Sequence, residues 1–156
     1  MENKIIFSII LIAILGLFFG CAQVAQKNDF SKIDGSICKI DGKPVIRMYS
    51  TTWCPHCEWV KPTFDSVAKE YVAQNKIVAY HWQVDILDDT LTDVNEASIP
   101  ELEMTILNQF NPKGSIPTFV FGCKYYRIGN GFEQQKDLNA ERAEFVKVIE
   151  EILKEN

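Results

Sequence analysis

Two cysteines separated by two residues, Cys54 and Cys57, carry the clearest chemical meaning in this sequence. Residues three apart on a helical turn lie on one face, close enough for the narrow geometry of a disulfide. The same spacing also occurs in zinc ribbons, where two such pairs gather four ligands. No second CxxC and no nearby histidine pair completes such a set here. Dithiol–disulfide exchange is therefore the chemistry predicted first, with no metal and no cofactor, and a metal-binding module using the two sulfurs stays as an alternative. Pro55 and His56 fill the space between the cysteines. Proline is favoured in the first turn of a helix, where its missing N–H would be unpaired anyway, so a helix should begin close to Cys54. The free N–H groups and the positive end of the helix dipole there favour thiolate over thiol. Cys54 is thus the expected nucleophile, and Cys57, a turn further in, the sulfur that resolves the mixed disulfide.

Several elements must hold this turn in place. Residues 37–40 alternate, Asp41-Gly42 makes a turn, and residues 45–50 form a second extended run. After the cysteines, Val60, Phe64, Val67 and Tyr71 recur at helical spacing and give one apolar face, with Pro62 inside it as a predicted kink. Residues 77–84 read as an aromatic-rich strand, residues 85–100 as an acidic loop, and residues 100–110 as a second helix with a weaker apolar pattern, broken by Asn111-Pro112-Lys113-Gly114. Residues 117–121 and 124–128 form a predicted hairpin, with Gly122 at the first central position of a type II′ turn. Asn139 is the expected cap of the last helix, whose buried stripe is Phe145, Ile149 and Ile152 with Val146 and Leu153 beside them. The order is strand, helix, strand, helix, hairpin, helix.

At Trp53-Cys54-Pro55-His56-Cys57 the sequence resembles the thioredoxin-type thiol–disulfide oxidoreductases. Trp53 precedes the first cysteine as in many thioredoxins. Pro62 stands five residues after the second, where that family carries a helix-kinking proline, and Ser115-Ile116-Pro117-Thr118 is similar to its cis-proline loop. The resemblance extends from about residue 45 to the C-terminus. It implies an α/β thioredoxin fold, a central mixed sheet flanked by helices, with an acidic insertion before the cis-proline loop. It also implies that Trp53, Ile116 and Pro117 bind substrate, the strand edge at Pro117 holding its backbone near Cys54. The Pro55-His56 dipeptide matches the DsbA-type periplasmic oxidases, whereas typical thioredoxins have Gly-Pro. A histidine there stabilises the Cys54 thiolate, and whatever stabilises the reduced form makes the disulfide a stronger oxidant.

One position departs from the family. Met48 stands six residues before Cys54, where the family places a buried acid that takes the proton of the second cysteine. His81 matches the position of the lysine near that acid and is the candidate proton relay, against its reading as a packed strand histidine. The acidic residues Asp88, Asp89, Asp93, Glu96, Glu101 and Glu103 lack the spacing of a calcium loop, so a solvated insertion is expected. In a sheet of this type the strand leading to Cys54 and the strand after Pro117 run antiparallel, so their far ends meet at the pole opposite the redox pair. That topology implies a structural disulfide between Cys38 and Cys123, against two free thiols.

The N-terminus sets the address. Lys4 precedes an unbroken apolar or small run, residues 5–20, ending at Cys21. The run is close to the lower limit of roughly 17 residues for a spanning helix and reads as an export signal or a short membrane anchor. Gly20 before Cys21 resembles a bacterial lipobox, with Phe18 where leucine is usual. Lipidation of Cys21 and closure of an uncleaved anchor both stay open. Segment 1–21 is then a signal or anchor, 22–35 a linker, and 36–156 the thioredoxin-like domain. An odd count of five cysteines fits one lipidated and two pairs in an oxidising compartment. The net charge of −5 and the lack of a basic cluster argue against nucleic acid. The expected function is disulfide exchange with exported proteins at the extracytoplasmic face of the membrane, or in the periplasm or outside if the signal is cleaved. The expected direction is oxidation or isomerisation, with a membrane redox partner. The alternatives are a membrane-anchored thiol reductase, as in cytochrome maturation, and a thioredoxin-fold module that binds metal or partners without catalysis.

Overall fold

The computed structural model describes residues 29–155. The signal or anchor segment, Cys21 and residues 22–28 lie outside the described residues. The chain runs β1 (Ser31–Lys32), β2 (Lys39–Ile40), β3 (Lys43–Ser50), α1 (Pro55–Ala73), β4 (Val78–Gln83), β5 (Asp88–Asp89), α2 (Glu101–Phe110), β6 (Thr118–Phe121), β7 (Tyr125–Ile128) and α3 (Leu138–Lys154). The main sheet has the order β1-β7-β6-β3-β4-β5, with β2 paired to the start of β3. The pair β3–β4 is parallel, because α1 crosses between them, and β3–β6 is antiparallel. Among the described residues no helix is long and apolar enough to cross a membrane.

Strand β3 lies at the centre and is covered on both faces. Its alternation therefore assigns residues to two cores rather than to core and solvent. Ile46 and Met48 join Cys57, Val60, Phe64, Phe119, Phe121, Phe145 and Ile149 under α1 and α3. Tyr49 turns the other way and packs with Trp82, Ile106, Leu107, Phe110 and Val120 under α2. Arg47 is on that second face, 2 % exposed, and forms a bidentate pair with Glu103 at 2.6 and 2.9 Å. The Tyr49 hydroxyl donates to the same carboxylate at 3.2 Å. Burial, followed by the Glu103 charge, pushes the Tyr49 phenol well above its usual range.

Four expectations change. The insertion is not simply solvated: Glu103 and Asp89 are buried, and Asp89 accepts the His81 and Leu91 backbone N–H groups at 2.8 and 3.1 Å. The folded domain begins before residue 36, because Phe30 packs against Phe121 at 4.8 Å and Ser31 pairs with Tyr126. Asp137, not Asn139, caps α3 and accepts the Ala140 N–H at 2.9 Å; a carboxylate at the N-cap also meets the positive end of the dipole. At the hairpin both Gly122 and Cys123 have positive φ, 61° and 53°, the pattern of a type I′ rather than a type II′ turn. Its twist matches that of the strands. A Cβ on Gly122 would also come within 3.2 Å of Ile37.

Cys38 and Cys123 are joined, with Cα atoms 5.5 Å apart and a sequence separation of 85. Arg47 Nη1 lies 3.4 Å from one of these sulfurs and 3.8 Å from the other, which ties the bridge to the ion pair. Replacing both cysteines by alanine is expected to lower the unfolding free energy by about 2–4 kcal/mol in urea titrations. Glu103→Ala leaves a buried guanidinium unpaired and should cost about 3–5 kcal/mol, whereas the double change Arg47→Met, Glu103→Leu should be near neutral.

Candidate active site

Cys54 is the N-cap of α1, with φ −86° and ψ 111°. Its carbonyl accepts the Glu58 N–H at 3.0 Å and its Sγ accepts the Cys57 N–H at 3.2 Å. Sulfur therefore does what a serine or aspartate oxygen does at an ordinary helix start, and a thiolate does it better than a thiol. Pro55 occupies the first helical position and Pro62 lies inside the helix, which continues to Ala73. Both cysteines are free and buried, 4 % and 2 % exposed. Burial, and then the hydrogen bond with Cys54, push the Cys57 thiol up to about 12. The pair is therefore asymmetric: one sulfur caps the helix N-terminus, and the other sits in its first turn with its proton held more tightly.

The Ile116–Pro117 peptide is cis, and the Ile116 carbonyl stands 4.0 Å from Cys54 Sγ. Asn111 and Thr118 brace this loop: Asn111 Nδ2 donates to Thr118 Oγ1 at 2.8 Å, and Thr118 Oγ1 donates to the Ser115 carbonyl at 2.7 Å. Trp53, the residue before Cys54, is 72 % exposed and offers an apolar surface there. A groove of about 500 Å³ opens on the other side, lined by His56, Ile116, Pro117, Asn130, Glu133 and Lys136 among others. Thr52 closes the rim, its hydroxyl and backbone N–H both donating to Asp85. Burial raises Asp85, but these hydrogen bonds outweigh it and hold the carboxyl below its usual value.

The structure brings Trp53, Cys54, Pro55, His56, Cys57, Ile116 and Pro117 to one pole and places the Cys38–Cys123 bridge elsewhere. His56 differs from its expected role. Its Nδ1 lies 2.8 and 2.9 Å from the two Glu133 oxygens rather than on the Cys54 sulfur. Asn130 Nδ2 completes the clamp, donating to Glu133 and to the His56 carbonyl, both at 2.8 Å. Glu141 anchors this loop from below through the Gly131 and Phe132 N–H groups, each at 3.0 Å. Sequence reasoning missed Asn130 and Glu133, because a loop residue 77 positions from its partner leaves no periodic signal. His81 is fully buried beneath the pair, hydrogen-bonded to Ser50 and Asp65.

A model of the thioredoxin family matches residues 23–124. The chain belongs to the thioredoxin family. A thioredoxin from Coprinus comatus is 30% identical over 73 residues, covering 47% of this chain and 59% of that protein. Bloodstream-specific protein 2 of Trypanosoma brucei brucei is 39% identical over 57 residues, 36% of this chain and 10% of its own length. The chain thus spans less than two thirds of each of these relatives. The adjoining Cys54 and Cys57 are the candidate redox pair of this chain.

The Glu133 carboxylate occupies His56 Nδ1, which is therefore not offered to the Cys54 sulfur. Glu133→Gln should therefore stabilise the reduced form and raise the reduction potential of the pair by roughly 10–30 mV. Equilibration with a glutathione buffer measures this directly. A fall in potential would mean that Glu133 aids the thiolate instead.

Proposed function

We propose that this chain exchanges disulfides with exported proteins at the extracytoplasmic face of a membrane, attached or addressed there by its N-terminal segment, and that it works in the oxidising or isomerising direction. The observation that carries the reading is Cys54 itself, a free sulfur at the N-cap of α1 with a buried partner one turn below and the Ile116 carbonyl, just before the cis-proline, at 4.0 Å. An extended substrate segment lying along the Ile116–Pro117 edge would present its sulfur to Cys54 while its flanks meet Trp53 and the groove. The apolar run before Cys21 supports export. So does the Cys38–Cys123 bridge, since structural disulfides persist in oxidising compartments. The CPHC sequence supports the oxidising direction.

The reductase reading has one observation in its favour, the Glu133 carboxylate on His56. The metal-binding reading finds no group of three or more metal ligands among the described residues.

In the full chain, Cys54→Ser should abolish both insulin reduction and oxidation of a reduced test protein, and Cys57→Ser should accumulate mixed disulfides with its targets. Retention of activity by Cys54→Ser would sink the assignment. A potential nearer about −120 mV than about −270 mV supports oxidation, and the reverse supports reduction.

A further inference from the structure

Beneath the cysteine pair lies a chain of polar groups that the fold alone does not call for. His81 is completely buried in the middle of β4, beside Met48 and in a T-shaped contact with Phe64, ring centroids 5.7 Å apart. An imidazole in such a place is costly unless both nitrogens find partners. Here they do: Nδ1 lies 2.6 Å from Asp65 Oδ1, and Nε2 lies 2.8 Å from Ser50 Oγ. In the tautomer that donates from Nδ1 to the Asp65 carboxylate, Nε2 is an acceptor and the Ser50 hydroxyl donates to it. The order Asp65, His81, Ser50 is therefore poised to take a proton at Ser50.

Ser50 is the end of this chain that faces the cysteines. It shares the α1 side of β3 with Met48. On α1, Cys57, Lys61 and Asp65 follow at intervals of four and so lie along one side of the helix. Ser50 and Cys57 line the same cavity, about 240 Å³, with Thr51, Thr52, Glu58, Lys61 and Gln83. Most of the lining residues have polar side chains, and among the described residues the buried Thr51 Oγ1 has no partner. Each water needs about 30 Å³ and two or more polar neighbours, so the cavity suits a short water chain from Cys57 to Ser50.

We propose that Ser50, His81 and Asp65 form a proton relay that serves Cys57 through water in this cavity when it resolves the mixed disulfide. The proposal rests on the oxidoreductase reading above. In the mixed disulfide, Cys54 Sγ is bonded to a substrate sulfur and Cys57 is a thiol. The Cys57 proton passes to cavity water, water passes one to Ser50 Oγ, and Ser50 passes its own to His81 Nε2, giving an imidazolium held against the Asp65 carboxylate. The Cys57 thiolate then attacks Cys54 Sγ. The Cys54–Cys57 bond forms, the bond from Cys54 to the substrate sulfur breaks, and the electron pair leaves on that sulfur, which takes a proton from solvent. The dithiol is oxidised and the substrate disulfide reduced; in the opposite direction the same groups return the proton to Cys57. The high affinity of the Cys57 thiol for its proton shows why such help is needed. Asp65 and His81 act through Ser50 as positioning residues.

Other charges face this region. Lys61 and Glu58 line the cavity wall, Asp85 is held by Thr52, and Asp89 accepts the His81 backbone N–H at 2.8 Å. Lys61 is the competitor for the relay's role, so it belongs in the test.

The experiment mixes the full chain carrying Cys21→Ser, its Cys54–Cys57 pair reduced and its Cys38–Cys123 bridge intact, with excess 5,5′-dithiobis(2-nitrobenzoate) in a stopped-flow instrument and follows release of the coloured thiolate. Attack by Cys54 releases one equivalent and resolution by Cys57 a second, without need of a proton for the leaving group. Ser50→Ala, Asp65→Asn and His81→Gln should slow the second phase by about tenfold or more at neutral pH. The first phase should stay within about twofold of the parent, as expected for groups that do not touch Cys54. From pH 6 to 9 the variant rates should rise about tenfold per unit as hydroxide replaces the relay, while the parent's profile is flatter. Ser50→Ala removes a single oxygen and keeps the result readable if His81→Gln does not fold. Lys61→Gln should leave the second phase unchanged. A Ser50→Ala second phase with the parent's rate and pH profile, or loss confined to Lys61→Gln, overturns the relay. If the parent itself shows no second phase, or Cys54→Ser reacts as the parent does, the oxidoreductase reading fails instead.

Discussion

The hydrogen bond from the Cys57 N–H to Cys54 Sγ joins the chemistry to the fold. The first N–H groups of α1 have no intrahelical acceptors, and in most helices a side-chain oxygen at the N-cap supplies one. Here the acceptor is the reactive sulfur. Whatever begins the helix therefore also sets the sulfur's place, and every element that fixes the start of α1 fixes Cys54 Sγ. Strand β3 delivers the chain to this point, Pro55 commits it to helical geometry, and the Thr52–Asp85 contact holds the rim. The Ile116–Pro117 loop reaches the same sulfur because β6 is antiparallel to β3 and begins where β3 ends.

Strand β3 also explains why one end of the molecule holds polar machinery without loosening the core. Both of its faces are covered, so every polar residue on it must find a partner. On the α2 face Arg47 and Tyr49 share the Glu103 carboxylate. On the α1 face Met48 is apolar, and the polar group is shifted two residues along the strand, to Ser50, which meets His81 on β4. The two networks are separated by the sheet. A change in one therefore reaches the other through backbone position, not through a shared charge.

Much of this was legible in the sequence, and the limits have physical causes. The CxxC pair, its proline, and the helix behind it are local signals, and residues 55–73 form that helix. The apolar spacing of Val60, Phe64, Val67 and Tyr71 placed the buried face correctly, since all four are buried. The tether reading of residues near Phe30 failed because a lone aromatic among polar neighbours has no period, yet three rings in the core receive it. Glu103 looked solvated because burial of a carboxylate depends on a partner 56 residues away, Arg47, which local composition does not reveal. The same reason hid Glu133 and Asn130. Asp65 left a faint trace, since it stands eight residues after Cys57 on one helix and so on the same side, but nothing in the sequence names its partner. The cap of α3 was misplaced by two residues, a typical uncertainty where several capping residues are close together.

The two cysteine pairs sit at opposite ends of β3, and that separation lets one chain carry both a working and a structural disulfide. Thiol–disulfide exchange requires a thiolate sulfur to touch the bond it attacks. The eight residues of β3 span roughly 26 Å at about 3.3 Å per residue, far beyond the reach of any side chain. The Cys54 thiolate therefore cannot scramble the Cys38–Cys123 bridge within a folded molecule. Arg47 adds a second safeguard by covering that bridge from the buried side, where its guanidinium is already held by Glu103. The bridge in turn ties residues 37–40 to the hairpin at the far end of β3 and β6. With the far ends of these two central strands pinned, their near ends, which carry Cys54 and the cis-proline loop, are held in register by the ladder between them. At that distance the structural disulfide bears on the Cys54 site through the alignment of these two strands.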